Sequence, residues 1–246
     1  MASIKQLVKQ QKKKKPRAKS SKPRVINQDR WFLKQIDNVL GYSRPWKAVQ
    51  KFYPSALGNP CDRYLYFAYH GGLPTQKINP QTQRIFDTGG AFETRMEKYL
   101  RKAGLFIAAE QTLKFDNPPI SGRYDFLIRY KDADRAIVEL KTINTRGFDN
   151  LIDKPKPEHT IQLQIYLNLM GLKNGIVVYE NKNDQDMKAF KVTKDKKVWD
   201  EVLERCIRIM NMVPNEVPIT CTGEFYCACR EVKDENRNKA NNMESN

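Results

Sequence analysis

Apolar residues recur at helical spacing in some stretches and at strand spacing in others, and the order of the two sets the expected fold. Residues 29–40 predict a short helix. Turn residues beginning at Pro54 lead into an aromatic-rich helix over 61–70, followed by a loop over 74–80. Residues 81–103 predict a longer helix, because Phe92, Met96, Leu100 and Ala103 recur at helical spacing and Gly104 supplies a stop. The period then shortens. Leu105–Phe115, Ile120–Tyr130 and Ala136–Thr142 are rich in β-branched and aromatic residues, separated by turn residues, and predict three strands. Residues 158–170 return to helix, and Ile176–Tyr179 and Met187–Val192 predict two more strands. A last helix over Lys194–Met212 places Val198, Val202, Cys206, Ile209 and Val213 on one face. No internal repeat interrupts this order, which predicts one α/β domain with a central mixed β-sheet flanked by helices.

Composition refines the picture at the ends. The 246 residues are 40% hydrophobic, enough for a sizeable core, and no apolar run approaches the roughly 20 residues that span a bilayer. The net charge of +16 is unevenly placed: residues 1–24 carry ten Lys or Arg and no acid, which leaves 34 basic against 28 acidic residues for the rest. Residues 1–28 therefore predict a disordered basic arm that attracts polyanions without reading sequence, and Lys12–Arg17 also has the composition of a nuclear signal. Residues 231–246 predict a disordered polar tail, and 29–230 the single folded domain. The N-terminus lacks the apolar stretch of a secretory signal, so a reducing, cytoplasmic setting is expected, a nuclear or mitochondrial one remaining open. The five cysteines are then expected as thiols or metal ligands rather than disulfides.

The segment from Ile120 to Thr142 carries the chemistry. Two strands flank a turn at Lys131–Asp134, and counting outward from residue 132 or 133 sets Asp125 opposite residue 139 or 140. Asp125 and Glu139 then become cross-strand neighbours within about 4.5–8 Å. Strand alternation puts Glu139 and Lys141 on one face and Val138 and Leu140 on the other. Two carboxylates would repel on an apolar hairpin, and a bound Mg²⁺ or Mn²⁺ removes that repulsion, because hard cations take oxygen ligands. The triplet Glu-x-Lys alone means little: the composition predicts roughly 1.5 by chance, and three occur, at Glu139, Glu180 and Glu231. Only the first lies inside an apolar strand with an acid on the adjoining one; Glu180 is expected to follow its strand, and Glu231 to sit near the polar tail.

Gly122-Arg-Tyr-Asp125, then Glu139-Leu-Lys141, then Gln162-x-x-x-Tyr166 resembles the RecB-like branch of the PD-(D/E)XK nucleases. Upstream, Gly89 followed four residues later by Glu93 resembles the first motif of that family, in which many relatives carry His. The resemblance covers roughly residues 54–230 and implies a restriction-endonuclease-like core. It implies that Glu93, Asp125 and Glu139 hold the metal, that Lys141 orients or activates the attacking water, and that Gln162 and Tyr166 complete the catalytic set from a helix beside it. It further implies a compact, phage-like exonuclease acting on single-stranded DNA or free ends, alongside replication or recombination proteins.

Cys206 falls on the apolar face of the last helix and is expected in the core, leaving Cys61, Cys221, Cys227 and Cys229. Some RecB-like nucleases tie their ends together with an iron–sulfur cluster, using one Cys before the core and three after it. The layout here matches, but the late spacing is C-x5-C-x-C where that group has C-x2-C-x5-C. A 4Fe-4S cluster, a tetrahedral Zn²⁺ and free thiols all stay open. His70 is expected to be structural. His159, three residues before Gln162, is a candidate contact to a scissile phosphate.

The expected function is metal-dependent hydrolysis of DNA. The alternatives are a non-catalytic nucleic-acid-binding module using the basic arm as a clamp, and an assembly component that keeps a nuclease fold.

Overall fold

The computed structural model describes residues 29–45, 47–131, 134–223 and 227–232. The basic arm, the tip of the 131–134 turn and all but the first two residues of the polar tail lie outside them. The chain parts into two units, 1–39 and 40–246. In the first, helix α1 (Arg30–Leu40) starts where Asp29 Oδ1 accepts the Phe32 N–H at 3.0 Å, and none of its side chains is buried.

The second unit is an α/β structure. Its elements are β1 (Tyr42–Arg44), α2 (Pro54–Leu57), α3 (Asp62–His70), β2 (Gln76–Ile78), α4 (Pro80–Lys102), β3 (Phe106–Ala109), β4 (Thr112–Phe115), β5 (Ile120–Arg123), β6 (Phe126–Arg129), β7 (Arg135–Ile143), α5 (Thr145–Asp149), α6 (Pro157–Met170), β8 (Asn174–Asn181), β9 (Met187–Thr193) and α7 (Lys196–Asn211). The central sheet has five strands in the order β3-β6-β7-β8-β9. It is mixed: β7 and β8 run parallel, and the other neighbours run antiparallel. A parallel pair needs a crossover, and α6 supplies it.

Alternation along β7 decides what each face meets. Ala136, Val138 and Leu140 pack with Phe92 and Met96 of α4, together with Phe126 and Ile128. Ile137 and Leu127 turn to the other face, against Leu163, Tyr166 and Leu167 of α6. Glu139 and Lys141 share the parity of Ile137, which aims them at α6 as well. Outside this sandwich, α2, α3, α6 and α7 bury Leu57, Leu65, Ile165, Val202, Cys206 and Ile209 in a second core. Arg205 ties it by donating to the Leu57 and Asn59 carbonyls and to Asp62. Among the described residues, no helix is long and apolar enough to cross a membrane.

Several expectations need correction. The stretches 105–115 and 120–130 are each two strands in different sheets, because Glu110 takes a left-handed φ of 52° and the backbone leaves the ladder at Tyr124–Asp125. The loop at 74–80 contains β2, which pairs with β1; both are too short to leave a periodic signal. Ala103 and Val213 lie exposed, beyond the ends of α4 and α7. Glu180 does not follow its strand: β8 stays paired with β7 as far as Asn181, so Glu180 is inside it.

Candidate active site

Register builds the site. Phe126 pairs with Val138, so one step outward sets Asp125 against Glu139. Asp125 sits in the break between β5 and β6 rather than within a strand, held by two backbone N–H groups. Leu140 N–H donates to its Oδ2 at 2.6 Å, and Glu110 N–H donates to its carbonyl oxygen at 3.1 Å. The carboxyl is thereby fixed to the strand that carries Glu139 and Lys141.

Glu139 is 1% exposed. Its Oε1 accepts from Lys141 Nζ at 2.8 Å and from Gln162 Nε2 at 2.6 Å, and Gln162 Oε1 accepts from the same Nζ at 3.1 Å. These three side chains close a ring of hydrogen bonds. Glu139 Oε2 is sealed from solvent and has no partner among the described residues. A buried acceptor left unpaired is destabilising, most of all on a charged group.

The electrostatics point the same way. Burial, and then the charge of Glu139, raise Asp125 to about 7 against the opposing Leu140 N–H and Lys141. Burial raises Glu139 too, with Lys141 opposing and Glu93 adding to the rise. Glu93 reaches this neighbourhood from α4, on the other side of the sheet; burial and then Asp125 hold its carboxyl above the usual range. Acids that resist one another's ionisation, the buried one carrying an orphan oxygen, are hard donors of the kind that Mg²⁺ or Mn²⁺ takes. Asp125, Glu139 and Glu93 are the residues that could hold it.

Tyr166 is 2% exposed, and its hydroxyl donates to the Arg123 carbonyl at 2.9 Å. That bond supports the backbone leading into Asp125. Gly122 explains the close approach: a Cβ there would stand 2.5 Å from Pro54 Cδ and 3.1 Å from Tyr166 Cε1. Two contacts had no sequence signal. Arg95 of α4, two residues after Glu93, pairs with the buried Glu180 of β8 and so ties the Glu93 helix to the sheet. Tyr179, fully buried, accepts from Lys156 N–H and meets His159. His70 Nε2 meets the Ile209 carbonyl at 3.0 Å, a packing role.

The four remaining cysteines converge. Cys61, Cys221, Cys227 and Cys229 offer sulfurs all within 4.8 Å of one another. Cys61 stands 3.7 Å from Cys221 and 3.6 Å from Cys229, and Cys227 stands 3.5 Å from Cys229. Cys61 caps the start of α3 and accepts the Tyr64 N–H at 3.4 Å. Burial works against its ionisation, yet the N–H groups of Tyr64 and Thr222 bring it down to about 7. Four thiolates about 2.3 Å from a single tetrahedral ion stand about 3.8 Å apart, so this spacing fits one ion such as Zn²⁺. A cubane puts an iron–sulfide cage between the thiolates and needs them wider. Cys206 is fully buried away from this group, and burial pushes its thiol up to about 12.

No family model matches the chain, and no curated protein matches it. Among solved structures, it is similar to SSO0001 at 18% identity with a TM-score of 0.51, over 76% of this chain and 87% of that one. It is also similar to an alkaline exonuclease (LHK-Exo) from Laribacter hongkongensis at 18% identity and a TM-score of 0.49, over 72% and 90%. A phage related exonuclease from Haemophilus somnus 129PT follows at 14% and 0.39, over 51% and 68%. At that identity, what the chain shares with SSO0001 is the fold, which in this chain is α/β with a five-stranded mixed sheet flanked by helices.

Proposed function

We propose that this chain is a metal-dependent deoxyribonuclease that hydrolyses phosphodiester bonds at DNA ends. The observation that carries the reading is the buried, unpartnered Oε2 of Glu139 beside Asp125. A structural ion pair would satisfy both carboxylate oxygens; here one is satisfied and the other is kept free in a sealed position. A divalent cation held by Asp125, Glu139 and Glu93 would supply a Lewis acid and lower the pKa of its bound water. Lys141 Nζ has three N–H donors, and two are spent on Glu139 and Gln162. The third is left for a phosphate oxygen, so Lys141 acts by offsetting charge on the phosphate. Gln162 keeps Lys141 and Glu139 in register, and Tyr166 holds the approach to Asp125. The +16 net charge, ten of the positive groups lying in the first 24 residues, supports a polyanionic substrate.

The test is cleavage of end-labelled linear and closed circular DNA in Mg²⁺ or Mn²⁺ by the full chain and by Glu139→Ala. Loss in the variant, with the fold intact and linear DNA preferred, supports the reading; equal rates in both proteins defeat it. The sulfur spacing favours a second, structural ion in the cysteine cluster, and we read it as Zn²⁺. Elemental analysis of protein purified without added metal tests that: near-stoichiometric zinc in a colourless sample is expected, and iron with brown colour overturns it.

A further inference from the structure

His159 stands beside the site and takes no part in the reading above. It lies one turn before Gln162 on α6, so the two share a helical face. Its Nδ1 is 2.7 Å from the hydroxyl of Tyr179, which pairs with Lys141 across β7 and β8.

The hydrogen count at that hydroxyl fixes the imidazole. Tyr179 Oη already accepts the Lys156 N–H at 2.9 Å. If Nδ1 also donated to it, the phenolic proton would need an acceptor, and among the described residues none meets it. The satisfied arrangement has Tyr179 Oη donating to Nδ1, which leaves the proton on Nε2. Nε2 in turn makes no hydrogen bond among the described residues. It is not one of the sealed orphans either, of which the described residues hold two, Glu139 Oε2 and Asn174 Oδ1. It is a donor not sealed from solvent, next to two lysines whose charges it feels.

We propose that His159 donates its Nε2–H to a phosphate oxygen of the bound DNA strand, and that Tyr179 is the positioning residue that fixes this tautomer. The proposal rests on the deoxyribonuclease reading. Burial, then the charges of Lys141 and Lys156, bring His159 down to about 3, so the ring stays neutral and the donor is present throughout the physiological range. Between two cationic side chains a second cation would be repelled, whereas a neutral N–H adds a directed bond to an anion that the lysines already attract. Tyr179 is fully buried inside the sheet, so the ring it holds is set by the core rather than by solvent.

A hydrogen bond to a charged group accounts for roughly a ten- to hundred-fold change in affinity. His159→Leu should therefore raise KM for DNA by about that factor with kcat little changed, the pattern of a binding contact. His159→Gln, which keeps an N–H donor of similar reach, should restore most of it. Tyr179→Phe should raise KM by less in the wild-type background and by nothing further in the His159→Leu background. Long-range ¹H–¹⁵N spectra of the wild-type protein supply a readout independent of cleavage. They should show an unprotonated Nδ1 and a protonated Nε2, and in Glu139→Gln the Nε2 signal should move when a short single-stranded oligodeoxynucleotide is added. An Nδ1–H tautomer, or an unchanged KM in a folded His159→Leu protein, overturns the proposal while leaving the nuclease reading standing. If the wild-type protein does not cut, the nuclease reading falls. The oligonucleotide titration then decides His159 by itself, and an unmoved Nε2 signal overturns it.

Discussion

The acidic side chains around Asp125 and the four cysteines are both sets of residues that could hold a metal, assembled in opposite ways. Asp125 and Glu139 come from one hairpin, together with Lys141, and register alone makes them neighbours, while Glu93 joins them from α4. Cys61 and Cys229 are 168 residues apart in sequence and meet only once α3 and the C-terminal segment are in place. The first set is hard, partly unsatisfied and mutually repelling. The second is soft, and its four sulfurs lie within 4.8 Å of one another, close enough that one ion could sit among them. An open donor set leaves positions for a substrate; a closed one spends its ligands on holding the fold together. Changing either set should therefore give a different kind of failure.

The largest effect is expected at the cysteines. Structural zinc contributes about 10–16 kcal/mol of apparent binding free energy that is also folding free energy. Cys61→Ser should lower the melting temperature far more than any change at the carboxylates, with cleavage lost only as the fold is lost. A melting curve that Cys61→Ser leaves in place would erase the contrast. Next comes Glu139→Ala: kcat should fall about a thousand-fold or more, some 4 kcal/mol of transition-state stabilisation, while the metal-free protein melts at or above the wild-type temperature because a buried charge is gone. Gln162→Leu should be milder. It breaks the ring around Glu139 Oε1 but leaves Lys141 attached, and rates should drop roughly ten- to a hundred-fold, as for partners one shell removed from a metal.

The smallest effect expected is a pH dependence. Asp125 is raised from 3.8 to about 7, first by burial and then by Glu139. A raised folded-state pKa means that this group's contribution to stability is full below about pH 4 and is lost as pH climbs through about 7. The metal-free protein should thus melt lower at about pH 8 than at about pH 5, and Asp125→Asn should flatten that slope. Added Mn²⁺ should restore more stability at the higher pH, since cation and proton compete for the same carboxyl. A slope that steepens in Asp125→Asn would contradict the assignment.

Much of the hairpin could be read from sequence because strand alternation is local arithmetic: counting back from the turn placed Asp125 against Glu139 without knowledge of the rest of the chain. The long helices α4 and α7 were legible for the same reason, their apolar positions recurring within a few turns. What escaped depends on groups far apart. The left-handed φ at Glu110 divides one expected strand into two, and nothing in Ala108–Gln111 announces it. The Arg95–Glu180 pair and the Tyr179–His159 bond each join elements across a layer, so neither has a spacing to find. Glu180 was discounted as a residue past its strand end, and only the register with β7 places it inside. A shared site for the four cysteines was implied by the family layout they resemble, but its size was not: the distances between sulfurs, and with them the choice between one ion and a cage, exist only in three dimensions.

The separation of Cys61 from its partners also bears on how the chain is made. Synthesis runs from the N-terminus, so Lys141 is in place 88 residues before Cys229. At about 5–20 residues per second, the interval is roughly 4–18 s. During it the β6–β7 hairpin can pair, while Cys61 waits without the three sulfurs that close around it. The carboxylate hairpin therefore precedes the thiolate closure, and a product cut short before Cys221 would carry every carboxylate of the site but lack the closure. Convergence of the four sulfurs therefore marks a chain that has been read through to Cys229.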